Sequence, residues 1–521
     1  MKTLVRIAAS LLAMASPMAA QAGWRQAASR HFIVHSEGSE QSLREATVKL
    51  EKLHFVLRTM HNVTRAPSPL KLRVFLMKNA DGVAATLAGG GSGVQGYYDA
   101  NDRGPFLVGT RSAGGTYTGL DPEIVLQHEY AHGFMFEYFP ATYPTWYVEG
   151  FAEFWGATKI GAKDVVEIGR PAGHRYESFQ GNRWLPMRRI LGARSYGDIS
   201  EPDLIYAQGW LLLRYLFDNK ARSGQLQKYV NAINKGVPYE QATNDAFGED
   251  AKALDAELSR YSGVSRMRVL QLPFKPIDAG PIAIRTMSSA EDALIDSEIR
   301  LSRGLLAREV PTFSRDVRRI AARYPDDPHA LLMLAHAERL AGNHVAALAT
   351  ADRVLVNNPA QPRALVEKAM ATLAGTKISG ASPAAWDEAR KPLVRAVALA
   401  PKDPFVLQAF YDSFALQNVL PPAEAQNALF TAHELAPADN ELRYRVALDF
   451  ERRGMVEDAL SVIRPAALAM HHSETEKKKK EREETAARDR LAGRNKHETA
   501  LEMMRRLETK LGAGKAPTSG S

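Results

Sequence analysis

Residues 121–138 read Asp-Pro-Glu-Ile-Val-Leu-Gln-His-Glu-Tyr-Ala-His-Gly-Phe-Met-Phe-Glu-Tyr, and the reading of the whole chain turns on them. Asp121 is a good helix N-cap, Pro122 suits the first helical position, and Glu123 favours the positive end of the helix dipole. Pro140 stops the helix after Tyr138. Within it, His128 and His132 stand four residues apart, on one face and one turn from each other. Two imidazoles so placed can share one tetrahedral metal position. Glu129 directly follows the first of them, where it can face the open coordination place and take a proton from water there.

The third ligand has to come from elsewhere. A second helix is predicted from about Pro144, through Trp146-Tyr147-Val148-Glu149-Gly150-Phe151-Ala152-Glu153-Phe154. Glu149 lies 17 residues beyond His132, enough for a turn with Pro140 and Pro144 and a returning helix. Two histidines and one carboxylate leave a fourth place for water, as catalytic zinc requires. Glu153, one turn further on, is the alternative ligand, or else supports the site from behind. The chain has no cysteine, so thiolate ligands, thiolate catalysis and disulfides are excluded.

These segments resemble the gluzincin zinc metallopeptidases, the superfamily of thermolysin and the aminopeptidase-N-like enzymes. His128-Glu129-x-x-His132 is similar to their zinc motif, and Glu149-Gly150-Phe151-Ala152 to the segment that supplies their third ligand. Tyr206-Ala207-Gln208-Gly209-Trp210 looks like their tyrosine-bearing helix. The resemblance covers about residues 23–261. It implies a zinc-dependent hydrolase of peptide bonds in a peptide or protein substrate. Zn2+ would sit on His128, His132 and Glu149, with Glu129 as the proton shuttle and Tyr206 steadying the oxyanion. The other reading of Tyr206 is a core tyrosine with a satisfied hydroxyl. No Gly-x-Met-Glu-Asn-like segment stands between Gly82 and Asp121, so the resemblance points to an endopeptidase rather than an aminopeptidase. Hydrolysis of a non-peptide amide is a further alternative.

Ahead of the motif, a strand is predicted at residues 31–35, a helix at 39–60, a half-buried strand at 70–77 and a strand at 106–109. Gly89-Gly90-Gly91-Ser92-Gly93 reads as a flexible loop without a phosphate-binding fingerprint. Helical patterns follow over about 203–218, 224–234 and 239–261. Trp146, Phe151, Phe154 and Trp155 read as helix-packing core. His31, His35, His54, His61 and His174 show no metal spacing.

Residues 263–289 carry several prolines and read as a linker, with short strands as an option. Beyond residue 290 the pattern is helical and repetitive. Pro325 and Pro359 are 34 residues apart, and Pro401 and Pro437 are 36 apart. That period, with its closing proline and the small residues Ala335, Ala347 and Ala351, is the tetratricopeptide signature of stacked helix hairpins. The middle interval is longer and is read as containing a loop at 376–383. The repeats, residues 290–470, are expected to bind a protein partner or present substrate. The rival reading makes them the working part of a non-catalytic adaptor in which the peptidase fold is idle.

Both chain ends read differently from the body. Lys2 and Arg6, the short apolar run at 7–15 and Ala20-Gln21-Ala22 form a secretory signal over residues 1–22, with a retained N-terminal anchor as the alternative. Nothing later is long and apolar enough for a transmembrane helix, so an exported protein, periplasmic or secreted, is expected. Residues 471–521 hold thirteen Lys and Arg against nine Asp and Glu, a net of +4, within a formal charge of +8 for the chain. With Lys2 and Arg6 set aside as well, the body keeps only about +2, which gives no case for nucleic acid. The tail is read as a solvated helix followed by disorder, or as a short partner-binding helix on the stripe Leu501, Met504, Leu507 and Leu511. The expected architecture is an α+β zincin-like metallopeptidase domain at 23–262, followed by an all-α tetratricopeptide-repeat solenoid.

Overall fold

The computed structural model describes residues 23–88, 94–113, 120–193, 198–263, 267–468 and 498–514. The signal segment, the loop at Gly89–Gly93 and most of the charged tail lie outside these residues.

The first half is built on a six-stranded sheet. Its strands are β1 (Arg25–Ala28), β2 (Phe32–Ser36), β3 (Leu72–Met77), β4 (Tyr97–Asn101), β5 (Gly104–Thr110) and β9 (Ala283–Thr286). They lie in the order β4-β5-β3-β2-β1-β9. β3 is parallel to both β2 and β5, while β4, β1 and β9 pair antiparallel with their neighbours. One face packs on α1 (Glu40–Met60) and α3 (Pro122–Tyr138); the other packs on α2 (Ala80–Thr86) and α10 (Ser289–Ser302). β3 is therefore covered on both faces, not half-buried as its alternation predicts. Val74 faces the larger core, Phe75 the other, and Arg73 ends on Glu298 of α10 at 2.7 Å.

After α3 come α4 (Thr145–Gly156), α5 (Met187–Gly192), α6 (Pro202–Asp218), α7 (Gln225–Asn234), α8 (Tyr239–Phe247) and α9 (Lys252–Ser262). The run at 239–261, predicted as one helical pattern, is broken because Gly248 and Ala251 both take positive φ. A smaller sheet joins β6 (Lys159–Ile160), β7 (Val165–Ile168) and β8 (Leu270–Pro273). Residues 263–289, read from the sequence as a linker, thus contribute β8 to one sheet and β9 to the other. Each short strand becomes stable only against a partner distant in sequence, so local pattern underestimates it.

The second half is a series of helix hairpins: α10 with α11 (Val310–Ala321), α12 (Pro328–Leu340) with α13 (His344–Asn357), and α14 (Pro362–Ser379) with α15 (Pro383–Leu399). Then follow α16 (Pro404–Leu416) with α17 (Ala423–Leu435), and α18 (Asn440–Arg452) with α19 (Val456–Leu468). Each hairpin packs on the next, which makes a helical-repeat solenoid. The prolines of the predicted signature stand in the turns before α12, α14, α16 and α18. The loop expected at 376–383 is shorter: α14 continues to Ser379 and α15 starts at Pro383 behind the N-cap Ser382. The tail is corrected too. Its helix, α20 (Ala500–Gly514), is not solvated but docks Met503, Met504 and Leu507 onto Ala459, Leu460 and Ile463 of α19. It caps the solenoid, and each fully buried side chain contributes about 1.5–3 kcal/mol.

Several histidines are held neutral by packing. Burial lowers His35 and His61 to about 4 and His54 to about 3. His61 sits among the rings of Phe134, Phe139, Phe151 and Trp155. Between the ordinary histidine value of 6.5 and about 4, the unfolded chain binds more protons than the folded one. Stability therefore falls as pH falls through that window. Thermal unfolding should show a lower midpoint at pH 5 than at pH 7.5. His61→Phe should remove roughly 1–2 kcal/mol of that pH-dependent loss.

Candidate metal centre

Three helices bring the predicted residues together, and glycines set how closely they approach. α4 is buried along almost all of its length and lies between α3 and α6. At Gly150 an added Cβ would stand 2.5 Å from the carbonyl oxygen of Gly209 on α6, and at Gly209 an added Cβ would stand 2.5 Å from the Trp146 oxygen. At Gly156 the same atom would meet the backbone of His128 at 3.3 Å. The three backbones therefore touch, and Glu149 and Tyr206 are carried up to His128.

The outcome is a tight triangle of donor atoms. His128 Nε2 and His132 Nε2 are 3.1 Å apart, and Glu149 Oε2 is 3.4 Å from the first and 3.6 Å from the second. Donors about 2.0–2.2 Å from a tetrahedral ion are separated by roughly 3.3–3.5 Å along each edge, so the triangle has the size of one coordination face. Among the described residues, these three form the group whose ligand atoms all lie within 4.8 Å of one another. Nitrogen and carboxylate donors of this kind suit a borderline divalent cation. Glu129 and His132 are buried, Glu149 is fully so, and the His128 side chain is 12% exposed.

The charge balance points the same way. Burial alone would lower His128, but the carboxylates of Glu149 and Glu153 outweigh it and push the ring up to about 10. A field of carboxylates strong enough to hold a proton there also favours a cation.

Glu153 does not join the triangle. It stands behind His128, with Oε1 3.2 Å from Nδ1, while Oε2 lies 2.8 Å from His174 Nε2. Arg175 forms an ion pair with the same carboxylate. Burial would raise Glu153, yet Arg175 and the hydrogen bonds from His128 and His174 hold it well below the usual carboxylate range. A carboxylate on Nδ1 fixes the ring so that Nε2 points into the triangle. Tyr206 is half-buried, its ring 6.3 Å from that of His128, with the Arg175 guanidinium 4.6 Å above it. Sequence reasoning missed His174 and Arg175. They lie in a 3-10 segment, Gly173–Asn182, without helical spacing to the motif. The other histidines among the described residues stay outside the triangle; His31 pairs with Glu51 and stacks on His54.

No protein-family model matches the chain. No curated protein matches it either. The chain is similar to solved structures of helical-repeat proteins. One is a thermophilic tetratricopeptide-repeat protein of Thermus thermophilus, at 18% identity and TM-score 0.31, covering 38% of this chain and 98% of that one. Another is a tetratricopeptide-repeat protein of Parabacteroides merdae, at 12% identity and TM-score 0.25, covering 56% and 100%. A third is yeast Tom70, at 11% identity and TM-score 0.25, covering 60% and 62%. No helix among the described residues is long and apolar enough to cross a membrane.

Two substitutions test this geometry. Glu153→Gln should weaken metal binding about 10–100-fold in a chelator competition while the circular dichroism spectrum is kept. Gly150→Ala forces α4 and α6 apart, so it should destabilise the chain by roughly 1–3 kcal/mol in denaturant melts and weaken metal binding as well.

Proposed function

We propose that the chain is a zinc-dependent peptidase of the gluzincin kind, acting on peptide bonds of an exported or envelope protein or peptide. The observation that carries this reading is the convergence of His128 Nε2, His132 Nε2 and Glu149 Oε2, with edges of 3.1, 3.4 and 3.6 Å, beside the buried Glu129. His128, His132 and Glu149 would hold the zinc. When bound, it would bring the pKa of water near neutrality and polarise the scissile carbonyl. Glu129 takes the proton from the attacking water and passes it to the leaving amine. The Tyr206 hydroxyl donates to the developing oxyanion, and the Arg175 cation above the ring favours that negative charge. Glu153 keeps the His128 ring oriented throughout. The secretory signal read at residues 1–22 supports a place of action in the periplasm or outside the cell. The missing amine-binding segment supports an endopeptidase.

A second reading, the non-catalytic adaptor, draws on the stacked hairpins α10–α19, an architecture suited to holding another polypeptide.

The purified full chain should carry about one zinc per molecule and cleave members of a peptide library. Glu129→Gln should keep the metal and lose roughly 10²–10⁴-fold in kcat, and Tyr206→Phe should lose roughly 10²-fold. A chain that holds no zinc, or a Glu129→Gln variant with an unchanged cleavage profile, overturns the peptidase. The adaptor prevails if deleting the repeats abolishes a cellular phenotype that Glu129→Gln leaves intact.

A further inference from the structure

β4 and β5 form a hairpin whose turn is Asp102-Arg103, and β4 is the edge strand of the main sheet. The turn is half-buried. It projects into the second half of the chain, towards the first helices of the hairpins, α10, α12, α14, α16 and α18. Asn101 Nδ2 donates to the Ser302 carbonyl at the end of α10, at 2.5 Å. The Arg103 guanidinium lies 5.3 Å from the ring centre of Phe405, and Arg363 lies 5.3 Å from the same ring. Asp102 is under the charges of Arg363, Arg445 and Asp412, and Arg103 under those of Glu298 and Glu367. Contacts from α10 and α16, with charged side chains of α12, α14 and α18 close by, surround one turn, so that face curves around it. The concave face of the solenoid therefore already holds a segment of this chain.

The contact is broad and chemically matched. An opposite-charge turn meets a face that is itself laddered with pairs, Arg339 with Glu367 at 2.6 Å and Arg445 with Asp412 at 3.1 Å. On the sheet side of the turn, Arg73 reaches Glu298, Ser68 Oγ donates to the Leu435 carbonyl at 3.1 Å, and Leu70 packs on the repeat core. A cavity of about 350 Å³ remains beside Arg103, between Leu70, Arg363 and the turn from Ala400 to Pro404.

The other end of β4 lies at the metal centre. An added Cβ at Gly96, just before the strand, would stand 2.9 Å from Glu129 Cγ and 2.7 Å from Val125. The Tyr98 ring fills the notch at Gly133, the residue after His132, where an added Cβ would meet it at 2.7 Å. Seven residues, a span of roughly 20 Å, separate the Glu129 contact from the Phe405 contact along one extended strand.

We propose that the concave face of the repeats is a clamp acting in cis, which grips the Asp102-Arg103 turn and through β4 sets the wall of the metal centre at Gly96 and Glu129. The repeats are then a positioning part of the enzyme, and their first partner is the chain's own hairpin. Asp102, Arg103 and Phe405 are positioning residues.

The catalytic side of this inference rests on the peptidase reading; the clamp itself does not, and the experiment separates the two. In the full chain, the turn is replaced by Asp102→Asn with Arg103→Gly, which keeps a favourable two-residue hairpin and deletes both charges. Phe405→Leu tests the same contact from the other side, and Arg103→Lys is the conservative control. Amide exchange of residues 97–101 should rise about tenfold in the first two variants and return towards wild type in the third, with β6 and β7 unchanged. Zinc content should stay constant, and kcat should fall about tenfold with little change in KM. A synthetic peptide of residues 97–110 should bind the turn variant with micromolar affinity and leave the wild type untouched, because there the face is filled. Unchanged exchange of β4 in both variants overturns the clamp, as does equal binding of the peptide to wild type and variant. If wild type shows no peptidase activity, the proposed function fails, while exchange and peptide binding still decide the clamp.

Discussion

Everything at the centre depends on three helical backbones lying in contact. α4 touches α6 through Gly150 and Gly209, and touches α3 through Gly156. At ordinary interhelical distances of about 8–10 Å, side chains fill the gap between helices. Where glycines remove them, the donors on neighbouring helices are brought within one coordination sphere instead. The distance between Glu149 and the two imidazoles is thus a consequence of what Gly150, Gly156 and Gly209 lack. The apolar surroundings, with Trp146 and Trp210 wholly buried, keep that spacing from relaxing.

Such closeness has an electrostatic cost, and the surroundings offset it in layers. Glu129, Glu149 and Glu153 crowd their negative charge around His128. Arg175 and His174 answer it through Glu153, Arg175 on the oxygen that also faces His128 and His174 on the other. Glu149 stays beside the two Nε2 atoms, so negative charge remains on the face where they point. A site built this way would favour a cation by field as well as by ligand type.

The two halves of the chain are not beads on a string. β9 belongs to the main sheet and leads within a few residues into α10, which covers that sheet on one side and opens the solenoid on the other. A helix serving two cores couples their geometry, and the β4–β5 turn adds a second connection more than a hundred residues away in sequence. The result is one body whose repeats curve around an edge of the sheet.

Much of this was legible locally. The capped helix with His128, Glu129 and His132 needs only a proline, an acidic cap and a four-residue spacing. The repeats need only a period near 34 residues and a proline in each turn. A helix and a returning helix bring Glu149 and Glu153 into play, and only the resemblance to the gluzincin segment favours Glu149 between them. What local pattern could not decide is whatever depends on contact between distant segments. The strands at Leu270–Pro273 and Ala283–Thr286 look like linker until a partner pairs with them. Arg73 looks solvent-facing until α10 covers it. His174 and Arg175 have no periodic relation to Glu153, and the Asp102-Arg103 turn looks like any polar hairpin tip. Short-range periodicity sets which helices form and which residues share a face. Only the folded chain decides which faces meet, because that choice is made by packing and charge between residues far apart in sequence.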